Sequence, residues 1–196
     1  MIMPSQPPEH EDKPAPMPLR LVQVFVNTLD IEQGTDTLSR PDEARRWLAE
    51  AGLLDPSSAE PSGTELALAV QVRAAIRALA WQNTSGQEPS GEDLAPLRRL
   101  LRSAQPRLEV TAAGTAEFAA DPTGRLADGL ARLLLIIRDA QADGSWARLK
   151  LCGNPDCRWA FYDRSHSRKG AWCDMASCGN MMKNRNLRAR RARQQG

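Results

Sequence analysis

No run in this chain approaches the ~18 consecutive apolar residues that a membrane-spanning helix needs. The first twenty residues carry prolines and acids where a secretory signal would need an apolar centre, so a cytoplasmic location away from membranes is expected. Also missing are a glycine-rich phosphate loop, a G-x-S-x-G elbow, an H-E-x-x-H helix and any internal repeat. Both histidines, His10 and His166, lie outside the central body. Without a nucleophile and base constellation, a non-enzymatic protein is expected. Cysteine is scarce too: there are four in 196 residues, all within residues 149–180. In a reducing compartment such thiols do not persist as structural disulfides, which leaves metal binding or redox chemistry.

What is present is unevenly spread. The formal net charge of +2 averages two unlike parts: residues 148–196 hold 12 Lys+Arg against 3 Asp+Glu, which leaves −7 for residues 1–147. A mildly acidic body carrying a strongly basic end is the pattern of a nucleic-acid contact at one end.

Residues 1–18, MIMPSQPPEHEDKPAPMP, are rich in proline and charge and nearly empty of core-forming residues, so a disordered leader is expected. Residues 19–147 are expected to form a mainly helical domain with one small β-hairpin. In LRLVQVFVNTLD, Leu21, Val24, Phe25, Thr28 and Leu29 share a helical face; the β-branched content makes strand the rival, and helix is the reading adopted. SRPDEARRWLAEAG offers Ser39 as N-cap, Asp42 as its capping-box acid and Gly52 as the stop. Ser62 and Glu65 open a longer helix that carries Leu66, Ala69, Val70, Ile76 and Leu79 to the NTSG break. Another helix is expected over residues 93–104, with Pro96 in its first turn. RLEVTAAGTAEFAAD alternates about Gly114, which predicts the hairpin, and RLADGLARLLLIIRDAQ is so apolar that its helix must be mostly buried. Asp30, Glu32 and Asp36 read as solvated loop charges. The body is expected to sense a small-molecule effector or to form a homodimer, and the sequence names neither ligand nor interface.

Residues 148–196 hold the chemistry. Cys152 pairs with Cys157 and Cys173 with Cys178, each with four residues between, and fifteen residues separate the pairs. Four thiolates at ~2.3 Å satisfy a tetrahedral Zn2+, and this spacing sits at the long end of the usual range, so one structural zinc is the leading reading. A redox pair lacks its C-x-x-C, iron–sulfur spacings differ, and a catalytic zinc would keep an open position that four cysteines close. His166 at the bend reads as a solvated histidine rather than a substitute ligand. GNPD between the first pair is turn chemistry. RWAFYDRSHSRKGAW predicts a hairpin with Trp159, Phe161 and Tyr162 on one arm and Ala171 with Trp172 on the other. Asp174 can cap a helix through Cys178 into the tail. Knuckle, hairpin and helix in that order describe a treble-clef zinc finger.

The tail MMKNRNLRARRARQQG carries Lys183, Arg185, Arg188, Arg190, Arg191 and Arg193. At ~100° per residue these surround a helix, so the segment is either a solubilising terminus or an arm that orders on phosphate.

WCDMASCGN before a basic helix, after LKLC and FYDRS, resembles the CGNR zinc finger, a treble-clef module of bacterial proteins. LVQVFVNTLD, RRWLAEAGLL and VRAAIRALA resemble the ABATE domain, its usual companion. The resemblance covers nearly all the chain from about Leu19 and implies a zinc-dependent DNA-binding transcription regulator, with finger and basic helix on duplex DNA. The alternative is a zinc-stabilised protein- or RNA-interaction module without sequence-specific DNA binding. Cys178, Gly179 and Asn180 match the signature, but Met181 stands where it has arginine, which removes a charge and a hydrogen-bond fork while leaving metal ligation untouched.

Overall fold

The computed structural model describes residues 13–105, 108–118 and 125–194. Helix α1 (Leu19–Val26) is buried along nearly its whole length, from Leu19 through Phe25 to Val26. It packs against α3 (Gly63–Ser85) and α5 (Leu126–Ala142), so tertiary packing on several sides overrides the strand preference of its valines. α3 begins on the expected capping box: Glu65 N–H donates to Ser62 Oγ at 3.3 Å and Ser62 N–H to Glu65 Oε2 at 2.9 Å. It ends at Gly86, whose φ of +74° is the left-handed cap that glycine permits. α4 (Ala95–Ser103) holds Pro96 in its first turn as expected. Strands β3 (Leu108–Val110) and β4 (Ala116–Phe118) form the hairpin about Gly114, with Glu109 opposite Glu117.

α2 (Pro41–Glu50) starts differently from the sequence expectation. Arg40 is the N-cap and Pro41 takes the first helical position, where its fixed φ suits the helix and its missing N–H costs nothing. Ser39 instead closes a 3-10 turn and donates to the Asp36 carbonyl at 2.7 Å, so the Ser39–Asp42 box does not form. α5 meets the α2–α3 connection so closely that a Cβ at Gly129 would collide with the Leu53 backbone.

Two expectations for the body's polar residues need correction. A miniature hairpin of β1 (Leu29–Asp30) and β2 (Thr35–Asp36) carries two of the supposed loop acids inward. Asp30 is 3% exposed, and Asp36 takes a two-pronged contact from Arg73, itself 2% exposed, with both N···O distances 2.6 Å. Burial raises the Asp36 carboxyl, but the Arg73 hydrogen bonds and charge and the Leu38 N–H outweigh it and hold the group below the usual carboxylate range. Only Glu32 stays exposed as expected.

Of the leader, residues 1–12 lie outside the described residues. Residues 13–18 form a strap across the C-terminal module: Tyr162 N–H donates to the Lys13 carbonyl at 2.9 Å, Arg164 to the Pro14 carbonyl at 2.8 Å, and Ala15 N–H to Gln23 Oε1 at 2.7 Å.

That module is built on β5 (Leu149–Leu151) and β6 (Ala160–Tyr162), antiparallel with Leu149 opposite Tyr162, Lys150 opposite Phe161 and Leu151 opposite Ala160. The partner of the Trp159-to-Tyr162 arm is therefore the strand before the first cysteine, and not Ala171 with Trp172. The reason is geometric: the first cysteine knuckle is itself the hairpin turn, and Ala171 meets that knuckle through its carbonyl, which accepts from Gly153 N–H at 2.7 Å. Strand alternation then gives the hairpin two faces. Leu149, Leu151 and Ala160 join the core of the helical body, while Phe161 packs in a second core with Trp159 and the four cysteines.

Candidate metal centre and basic helix

Cys152 follows β5, Cys157 precedes β6, and Cys178 lies in a π-helical turn (Met175–Gly179) that leads into α6 (Asn180–Gln194). Asp174 caps that turn, its Oδ1 accepting from Ala176 N–H at 2.6 Å, as the sequence led one to expect. The four sulfurs, all buried, lie within 4.8 Å of one another. Cys157 Sγ is 3.7 Å from Cys173 Sγ, which is 3.8 Å from Cys178 Sγ. A tetrahedron with metal–sulfur bonds of ~2.3 Å has edges of about 3.8 Å, so these separations fit a single zinc ion and are far too long for disulfides. Cys152, Cys157, Cys173 and Cys178 would hold the ion, and its role is structural because four thiolates close its shell.

The thiols by themselves cannot share the site as four anions. Hydrogen bonds from Cys157 and Cys173, aided by backbone N–H groups of Cys173 and Asn154, hold the Cys152 thiol down to about 2. Donating to the Cys152 sulfur and facing its charge push the Cys157 thiol up, and Cys152 and Cys157 together push the Cys173 thiol up. A divalent cation at the centre relieves that repulsion, which is the chemistry a donor set of four thiolates is suited to. His166 is exposed at the bend and stands apart from the cluster.

The surroundings fix the ligands. Cys152 N–H donates to the Trp159 carbonyl at 2.8 Å, Cys157 N–H to the Asn154 carbonyl at 3.1 Å, and buried Asn154 directs Nδ2 at Cys178 Sγ, 3.6 Å away. The same Nδ2 is 3.7 Å from Met181 Sδ, so the methionine in the arginine's place meets the knuckle amide with a weak acceptor. A Cβ on Gly153 would sit 2.8 Å from the Trp172 ring, and one on Gly179 would collide with the Met175 sulfur, so both glycines are close-approach positions. Arg158 closes the knuckle in the left-handed region at φ 55°. Arg77 of α3 holds its carbonyl at 2.9 Å, and Trp81 lies 3.7 Å beneath its guanidinium.

Sequence reasoning missed two parts of this frame. One is a buried ion pair: Lys150 Nζ donates to Asp163 Oδ2 at 2.9 Å and to the carbonyls of Arg168 and Gly170 at 2.5 and 3.1 Å. Burial raises the Asp163 carboxyl, but hydrogen bonds from Ser165, Lys150 and Gly170 dominate and place it well below the usual range. The signal was available, since Lys150 interrupts an apolar strand and Asp163 directly follows its partner. The other is the dock between module and body. Asn27 takes Ala160 N–H at 2.8 Å and gives to its carbonyl at 3.0 Å, while Thr84 and Asn83 of α3 bond the β5 backbone at 2.8–3.0 Å.

α6 leaves this frame as a helix exposed on every side. Lys183, Arg185, Arg188, Arg190, Arg191 and Arg193 are all exposed, and the ion pair seen among them is Arg185 with Asp156 at 3.6 Å, itself open to solvent. Among the described residues no helix is long and apolar enough to cross a membrane.

Residues 148–191 match the CGNR zinc finger, and residues 19–142 match the ABATE model, described as "Putative stress-induced transcription regulator". No curated protein matches the chain. With the ABATE match spanning well over half of its length, the chain belongs to the ABATE family and ends in a CGNR zinc finger.

Proposed function

We propose that this protein is a zinc-dependent, DNA-binding transcription regulator, acting in the cytoplasm, whose finger roots α6 on duplex DNA. The observation that carries the reading is the helix itself: six exposed cations around 15 residues, with none of its described residues buried. A helix of that length is about 22 Å long, and its width suits the ~12 Å major groove. Lys183, Arg185, Arg188, Arg190, Arg191 and Arg193 would meet phosphates on both groove walls, and the helical body would sense an effector or pair two copies.

Titration of a duplex across salt tests it. Four to six neutralised phosphates give a log–log slope of roughly −4 to −5. A slope near zero, or no binding at low salt, overturns the proposal. Met181 favours a second reading, a protein- or RNA-interaction module, because the signature position nearest the knuckle carries no charge. Competition with structured RNA separates the two, since shape readers of RNA prefer it to duplex DNA.

A further inference from the structure

The finger also carries a cleft of about 530 Å³, lined by none of the four cysteines and by no residue of α6, between the strap of residues 13–14 and the loop from Asp163 to Trp172. Its walls are of two kinds. Phe161, Trp172 and Met175 supply apolar surface, and Lys13, Arg164 and Lys169 supply positive charge. The one carboxylate in the lining, Asp163, is 4% exposed and engaged by Lys150, Ser165 and Gly170, so it does not offset that charge toward the opening.

Trp172 is half-buried and set firmly. One edge of its indole lies over Gly153 and the other beside Gly179, at separations that leave no room for a Cβ on Gly153. A fixed, half-open indole beside Lys169 and Arg164, both exposed and the latter also holding the Pro14 carbonyl through one guanidinium nitrogen, is a stacking platform beside an anion site. The volume falls within the ~300–1,000 Å³ range of small-ligand sites.

We propose that this cleft binds an unstacked nucleotide, its base against Trp172 and its phosphate on Arg164 and Lys169. The same chemistry comes from a single-stranded stretch of nucleic acid or from a free nucleotide. The site is separate from α6 and does not depend on duplex binding by that helix.

The test uses the full zinc-loaded chain with a fluorescent ten-nucleotide single strand, and AMP as competitor. Trp172→Ala is expected to weaken strand binding about 10- to 100-fold, in line with alanine substitution at base-stacking positions. Because that change could disturb the finger, Lys169→Glu and Arg164→Glu, both at exposed positions, are measured beside it with zinc content as the control. Each is expected to weaken the strand at least fivefold while retaining zinc. Displacement by micromolar AMP identifies the free nucleotide as sufficient, and displacement only by longer strands identifies nucleic acid. No strand or AMP binding, or unchanged affinity in both charge reversals, overturns the proposal. A helix variant, Arg188, Arg190 and Arg191 each to Ser, should lose duplex affinity and keep the strand; loss of the strand in that variant alone also overturns it.

Discussion

Met181 carries the family departure, and its surroundings say what reversal should do. Its sulfur faces Asn154 Nδ2, which also serves Cys178, so the side chain sits against the knuckle while remaining 50% exposed. Met181→Arg adds a cation at the root of α6 without entering the metal shell. The expected result is unchanged zinc stoichiometry and a duplex salt slope steeper by about 0.9, read by the same titration. A second residue-scale outcome concerns Asp36. Its carboxyl lies below the ordinary carboxylate range in the folded chain, so the Arg73 contact contributes fully above the unfolded value of about 3.9 and is lost as pH falls through the lower folded value. Asp36→Asn should therefore cost about 2–3 kcal/mol at pH 7 in urea unfolding, and the gap should begin to narrow as pH falls below about 4 and go on narrowing toward the lower folded value. A gap that stays constant from about pH 7 down to about pH 2 would contradict the assignment.

At the scale of elements, the hairpin of β5 and β6 joins two cores. Asn27→Ala leaves the Ala160 N–H, held 2.8 Å from Asn27 Oδ1, without a partner in a buried place. A loss of about 1–3 kcal/mol is expected in thermal unfolding, together with faster hydrogen exchange at the Ala160 amide. The same hairpin shows where sequence reading works and where it stops. Caps that lie three residues apart, such as Ser62 with Glu65, are local and were legible. So were the four cysteines, because metal ligation restricts residue type and spacing together. The strand partner of Ala160 to Tyr162 was not, since a knuckle can lie inside a hairpin or beside one and the pattern of apolar residues permits both. Asn27, Thr84 and Lys150 escaped notice because each is a polar residue whose partner lies dozens of residues away or across a strand. The loop acids failed for the same reason: Arg73 is 37 residues from Asp36.

For the whole molecule, finger and body share structure. Leu149, Leu151 and Ala160 belong to the core that also contains Phe25 and Ile76, and the strap of residues 13–18 crosses from α1 to β6. Chelation should therefore lower the melting temperature of the whole chain, and not melt a separate finger beneath an unchanged body. A shift of roughly 10 °C or more is expected, since 1 kcal/mol is worth about 2–4 °C at this size and zinc supplies several. Two resolved transitions, with the body's unchanged, would contradict this coupling.

If zinc roots a cationic helix on DNA, duplex affinity measured against salt reads it most directly. Zinc-loaded protein should give a slope of roughly −4 to −5, and changing Arg188, Arg190 and Arg191 to Ser should flatten it by about 2.7. The chelated chain should bind far more weakly at every salt concentration. A slope near zero in the loaded protein, or one that the three substitutions leave unchanged, would mean that α6 does not carry DNA binding.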